Sequence, residues 1–186
     1  MNSRERETTP FAVGAVVAAM AMVVIDSGVS NVALPTIARS LSISPALSVL
    51  VITSYQTALV MALLPCAAIG ERFGYRRVFV QGVTLFVTAS VASSLAPSLP
   101  FLVVARFVQG LGAAAVTALG VALIRIAVSD ARLGEAISWN ALTVALSAAA
   151  GPAIGALVLS LAPWPWLYVV NLPIGLCVLF ASRALG

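Results

Sequence analysis

Six times over, this chain runs apolar for the length of a membrane-crossing helix, and most of its charges gather in short clusters between the runs. An α-helix rises about 1.5 Å per residue, so about 20 apolar residues cross the hydrocarbon of a bilayer. The qualifying segments fall at roughly 11–33, 48–69, 78–96, 101–124, 136–160 and 166–182. Charged residues make up 9% of the chain against 61% hydrophobic, whereas soluble domains carry about a quarter charged. A water-soluble globule is excluded. The fold class that follows is all-α integral membrane, with a tail at 1–10 and a six-helix transmembrane bundle over 11–183.

The breaks between runs are chemically legible. Pro35 with Arg39 to Pro45 separates the first two runs, and Pro97 to Pro100 turns the chain between the third and fourth. Pro163-Trp164-Pro165-Trp166 closes the fifth, with its Trp rings expected at the membrane–water interface. On this map Arg4, Arg6, Arg72, Arg76, Arg77, Arg125, Arg132 and Arg183 share one side, and the alternate loops hold only Arg39. Positive charge stays on the cytoplasmic side during insertion, so both termini are expected in the cytoplasm. Small residues near Met20 resemble a signal-cleavage site. The Arg4-Glu5-Arg6-Glu7 stretch carries no net positive charge, however, and the run is too long, so it reads as a retained span.

Two charges break the pattern. Asp26 lies inside the apolar stretch from Phe11 to Pro35, and Arg106 lies inside the fourth run. Even a low estimate puts an Asp at mid-bilayer at roughly 2.5–3.5 kcal/mol, and such residues are by default parts of an ion or substrate pathway. Counted along their helices, both lie roughly 9–12 Å below the outer surface. At matched depth a carboxylate and a guanidinium can neutralise each other, so the two are expected to approach, directly or through water.

Other chemistries find little to use. The chain has no His, which removes imidazole as a base or metal ligand. Cys66 and Cys177 stand far apart in apolar runs and read as buried free thiols. No loop pairs a nucleophile with a base, so an enzyme is rejected. The net charge of +4 is not a nucleic-acid signal, because every Arg cluster flanks a span. No nucleic acid is expected as a partner; the lipid bilayer is.

Several stretches carry more than hydrophobicity. In the turn Ala67 to Arg77, Gly74 permits a positive φ, Arg76 and Arg77 anchor the third span, and Glu71 can cap a helix N-terminus. In the fourth run Gln109 follows Arg106 by three residues and can hold its guanidinium. Gly110, Ala113 and Ala114 offer a smooth face for a neighbouring backbone. In the fifth, Pro152 is expected to kink the helix, and Gly151 with Gly155 to form a flat strip suited to rocking against a partner.

Together these stretches resemble the major facilitator superfamily, and within it the fourteen-helix drug:proton antiporter branch. Asp26 to Pro35 resembles the D-x-T-x-x-N-V-A-L-P motif of the first helix, and Glu71 to Arg77 the loop motif between helices two and three. Arg106 to Ala114 matches R-x-x-Q-G-x-G-A-A of helix four. Ser147 to Ala156 resembles the antiporter motif of helix five, and Trp164 to Gly175 the W-x-W…N-x-P-I-G signature. Departures are Gly28 for the usual Thr, Glu71 for Asp, Ala67 for the first Gly, Tyr75 for a basic residue, Pro165 for Arg, and Ser147 and Ala156 for outer glycines.

The resemblance implies the N-terminal bundle of that fold, a three-plus-three inverted repeat, in the plasma membrane of a bacterium. It implies proton-coupled efflux of small lipophilic, cationic compounds, powered by the proton gradient with no cofactor. Asp26 and Arg106 would couple proton to substrate, and Asn31, Tyr55 and Gln109 would line the cavity. Glu71, Arg72, Gly74, Arg76 and Arg77 would gate the cytoplasmic side. Alternating access needs a second six-helix half, which these 186 residues do not supply. A truncated gene product, a partner chain or a self-dimer would each account for that, and the expectation is the gene fragment. The rival reading is a non-transporting membrane assembly or regulatory subunit, in which the two charges only join helices.

Overall fold

The computed structural model describes residues 10–183, and the side-chain surroundings of residues 13–182. The tail at 1–9 and the side chain of Arg183, both of which bear on orientation, lie outside the described residues. Every regular element among the described residues is helical. Five helices are long and apolar enough to cross a bilayer. The long helices are α1 (Pro10–Ser40), α3 (Leu50–Phe73), α4 (Tyr75–Ser94), α5 (Leu99–Ala127) and α6 (Asp130–Leu161). A single turn, α2 (Pro45–Ser48), leads into α3, and the last span comes in two pieces, α7 (Trp166–Val169) and α8 (Asn171–Arg183).

The helices outrun the apolar spans. Pro35 does not end α1, which continues to Ser40. Pro35 lacks only the N–H that would bond the Asn31 carbonyl, and the helix resumes its ladder beyond that single lost bond. Arg39 Nε then donates to the Pro35 carbonyl at 3.3 Å. The true stop is at Ser42, in the left-handed region at φ 52°. There Ile43 N donates to Ala38 O and Leu41 N to Ile37 O, closing the carbonyls that a helix end leaves open. In the last span the cause of the interruption is Pro173. It has no N–H for the Val169 carbonyl, so the ladder breaks although Val170 keeps helical angles, φ −56° and ψ −27°.

Close helix approach is written in small residues. A Cβ on Gly28 of α1 would lie 3.0 Å from Gly151 Cα of α6, and one on Gly155 would lie 3.2 Å from Val29 Cα. The Gly151–Gly155 strip therefore packs on α1 inside the bundle; it is not a free surface for rocking. α6 runs on through Pro152 to Leu161. The strip also accounts for the glycine at position 28, where a β-branched side chain would push α6 away.

Two apolar clusters fill the interior. One gathers Met20, Met22, Phe79, Phe86, Leu119 and neighbours. The other gathers Ala33, Ile37, Val51, Leu102, Leu167 and neighbours. Trp164 belongs to the second cluster, buried to 5% exposure. Its Nε1 donates to Ser40 Oγ at 3.0 Å, and its ring meets Tyr168 edge-on. Only Trp166 takes the exposed position expected of the pair. The buried indole finds its hydrogen-bond partner inside the protein, at the end of α1, and so has no need of the interface. Outside, Val60, Met61 and Leu64 of α3 and Trp139, Leu146 and Leu161 of α6 present apolar faces. The two thiols are free, but neither is buried as expected: Cys66 is half-buried and Cys177 exposed. An apolar run in a membrane helix faces lipid as readily as protein, so hydrophobic neighbours in sequence do not imply burial inside the fold.

Candidate functional site

A polar layer separates the two clusters. On α1, Met20, Met22 and Val23 belong to one cluster and Val29, Ala33 and Ile37 to the other, with Asp26 between them. On α5, Leu102 lies in one and Ala113 onward in the other, with Arg106 and Gln109 between. Depth read from chain position thus places both charges at one level, and their side chains meet there. Arg106 Nη1 donates to Asp26 Oδ2 at 2.6 Å, with both residues 1% exposed or less.

Every oxygen of the carboxylate is engaged. Oδ1 accepts from Gln109 Nε2 at 3.0 Å and from Asn171 Nδ2 at 2.6 Å. Arg106 Nη1 also donates to Gln109 Oε1 at 2.7 Å, and Gln109 Nε2 to Ser90 Oγ at 2.7 Å. The spacing of three residues puts Gln109 on the face of α5 that carries Arg106. Two rings flank the guanidinium, with Arg106 Cζ 4.2 Å from the Tyr55 centroid and 5.3 Å from that of Tyr168. Such cation–π contacts gain strength when desolvated. Gly110 brings Tyr55 within reach, because any Cβ there would collide with the Tyr55 carbonyl oxygen. Helices α1, α3, α4, α5, α7 and α8 each contribute a side chain to this knot.

The layer is a closed, charge-neutral assembly. Three donors on one carboxylate and two aromatic rings on one cation compensate for desolvation that neither ion tolerates alone. Chemically it can hold a proton and exchange hydrogen-bond partners.

The other sequence-marked residues fall elsewhere. Tyr55 and Gln109, expected along a cavity, are buried inside the knot. The i+3 spacing and the close approach at Gly110 turn them towards Arg106. Asn31 is exposed on α1, donating Nδ2 to Ser27 O at 2.9 Å, and Gln56 of α3 reaches Ser27 Oγ at 3.4 Å. These three form a polar strip on the outside of α1 and α3. The α3–α4 turn lies about 27 Å along α3 from Tyr55, counted at the helix rise. In that turn Gly74 has φ 95°, Arg72 lies over the Phe73 ring, and Glu71 and Arg77 are exposed. Arg76 donates to the Ser182 carbonyl at 2.5 Å, tying the start of α4 to the end of α8.

Sequence reasoning missed Ser90, Tyr168 and Asn171 as site residues. Asn171 carried a usable signal, a polar residue two positions before Pro173 inside the N-x-P-I-G string of an apolar span. Ser90 carried none, being one small residue among several on α4.

Comparison with known proteins agrees with this architecture. Residues 16–185 match the family model of the Major Facilitator Superfamily. The chain is 42% identical over 167 residues to the uncharacterized transporter YebQ of Escherichia coli (strain K12), covering 90% of this chain and 36% of that protein. It is 37% identical over 163 residues to the multidrug resistance protein Stp of Mycobacterium tuberculosis (strain CDC 1551 / Oshkosh), covering 87% of this chain and 30% of that one. The chain therefore spans about a third of the length of these relatives. Among solved structures, the proton:xylose symporter XylE superposes with a TM-score of 0.83 at 13% identity, over 94% of this chain and 44% of that one. At that identity the likeness speaks for the fold.

Proposed function

The chain belongs to the Major Facilitator Superfamily, a multi-pass protein of the bacterial plasma membrane from a family of transporters and not of enzymes; on that premise we propose that it is the proton-handling bundle of a drug:proton antiporter. The observation that carries this reading is the buried contact between Asp26 and Arg106. An ionisable pair at membrane depth is costly, and proton relays are among the uses that justify it.

In this reading the pair has two states. When it is closed, as here, Asp26 is ionised and accepts three hydrogen bonds. When it opens, Asp26 carries a proton and Arg106 stays between Tyr55 and Tyr168. Substrate arrival on the polar strip of Ser27, Asn31 and Gln56 shifts α1 and closes the pair, which expels the proton. Ser27 is covalently next to Asp26, so the strip and the pair share one turn of α1. The polar strip lies among apolar neighbours, which suits small lipophilic compounds that carry a polar group, and the printed name of Stp is that of a multidrug resistance protein.

The reading includes a second six-helix bundle, from this or another chain, over the exposed faces of α3 and α6. Both termini then lie in the cytoplasm, and the α3–α4 turn with Glu71, Arg72, Gly74, Arg76 and Arg77 gates that side. The test is ethidium export in inverted membrane vesicles that contain both bundles. Asp26→Asn should insert normally and lose proton-driven export. Export by that variant at the wild-type rate rejects the coupling role.

A further inference from the structure

The carboxylate of Asp26 is gripped from a helix that the ion pair itself does not require. Asn171, the first residue of α8, donates to Oδ1 at 2.6 Å and reaches Ser90 Oγ at 3.3 Å. Immediately before it, at Val170, the ladder of the last span is interrupted by Pro173. On the other side of that interruption Tyr168 lies against Arg106. The two sides of one helix interruption thus place one side chain on each member of the pair. Tyr168 is 0% and Asn171 2% exposed, so neither contact is a surface accident.

The three partners of the carboxylate are not equally free to respond. Arg106 can only donate and is held by two rings and by Gln109. Gln109 is tied at both ends, accepting from Arg106 and donating to Asp26 and Ser90. Asn171 has one further partner, Ser90, and its amide carries both a donor and an acceptor end. A proton added to Asp26 forms one O–H bond, turns one oxygen into a donor and leaves fewer lone pairs for three donors. Protonation also removes the charge that holds Arg106, which stays between its two rings. Of the two amides left on the carboxyl, the one with the fewest other ties must turn over or let go, and it lies beside the break that Pro173 makes.

We propose that Asn171 is a positioning residue that reads the protonation state of Asp26 and passes it to α8 at the interruption beside Val170. This rests on the proton-handling reading of Asp26. The titratable and charged groups that face Asp26 are Arg106 from α5, Tyr55 from α3 and Tyr168 from α7. Helices α4 and α8 contribute the non-titrating Ser90 and Asn171, and α6 meets α1 at this level through Gly151 and Gly155. The Asp26 proton is thus a charge change that α8 touches directly, through Asn171.

The test uses the purified protein in nanodiscs with two readouts. Infrared difference spectra follow the protonated Asp26 carbonyl stretch across pH, assigned by its loss in Asp26→Asn. A nitroxide on Cys177, exposed on α8, reports that helix in a Cys66→Ser background. In the otherwise wild-type protein the Cys177 line shape should change with the same midpoint as the Asp26 band. In Asn171→Ala the band should still titrate and the line-shape change should be lost. Asn171→Ser keeps a buried hydroxyl but stops short of the carboxylate, and it serves identically where the alanine variant fails to fold. A Cys177 response in these variants that tracks the band as before overturns the proposal, as does a wild-type line shape that stays constant while the band titrates. An Asp26 band absent at every pH rejects the proton-handling reading itself.

Discussion

Removing one member of the ion pair should cost far more than its share of the pair. Arg106→Met keeps most of the side chain's length and deletes two hydrogen bonds, to Asp26 at 2.6 Å and to Gln109 at 2.7 Å. Bonds to charged groups contribute about 1.5–3 kcal/mol each, which sums to about 3–6 kcal/mol. The buried carboxylate then either stays charged without a counter-ion or takes up a proton, and breaking a buried pair from one side costs about 3–5 kcal/mol. The two routes agree. Asp26→Asn leaves the guanidinium uncompensated and falls in the same range. The double variant leaves two neutral groups, with the new amide at position 26 still within reach of Gln109 and Asn171, so it should cost less than the sum by about 2–3 kcal/mol. Reversible SDS unfolding in lipid bicelles, followed by circular dichroism, measures all four corners of the cycle. Additivity to within about 0.5 kcal/mol would falsify the coupled knot and leave two independent buried groups.

Three further substitutions probe the scaffold by the same unfolding assay. Gly28→Thr, which restores the residue usual in the resembled motif, drives a side chain into Gly151 and should destabilise by about 1–3 kcal/mol; an unchanged midpoint contradicts the α1–α6 contact. Gly74→Ala places a side chain at φ 95°, with an expected cost of about 1–3 kcal/mol, and no loss argues against that turn geometry. Trp164→Phe keeps an aromatic ring beside Tyr168 and loses the bond to Ser40. About 1 kcal/mol should disappear, with a tryptophan emission change reporting a buried ring.

How much of this was legible depends on whether the signal was local. Asp26 and Arg106 stood out because a single charge in an apolar run has no bland explanation, and helix rise alone placed them at one level. Gln109 followed from its spacing on one helix. Asn171 reaches Asp26 from 145 positions away, and Ser90 meets Gln109 from a different helix; no periodicity encodes either meeting. Tyr168 was hidden by the signature around it, whose tryptophans suggested an interface, whereas Trp164 turns inward and Trp166 alone stays exposed. The apolar span ends near residue 33, but α1 runs on to Ser40, because Pro35 removes one backbone bond without forcing the helix to end. Helix count and the matched depth of the two charges were open to sequence; the core layers and the knot's outer members were products of the fold.

For the pair to couple transport to protons, Asp26 must give up a proton when substrate binds. Stopped-flow addition of ethidium to the detergent-solubilised two-bundle transporter, in unbuffered solution with a pH indicator, measures that release directly. Acidification is expected from the wild-type protein and none from Asp26→Asn. Equal acidification by both, or ethidium binding by the wild type with no proton released, contradicts the coupling role of Asp26.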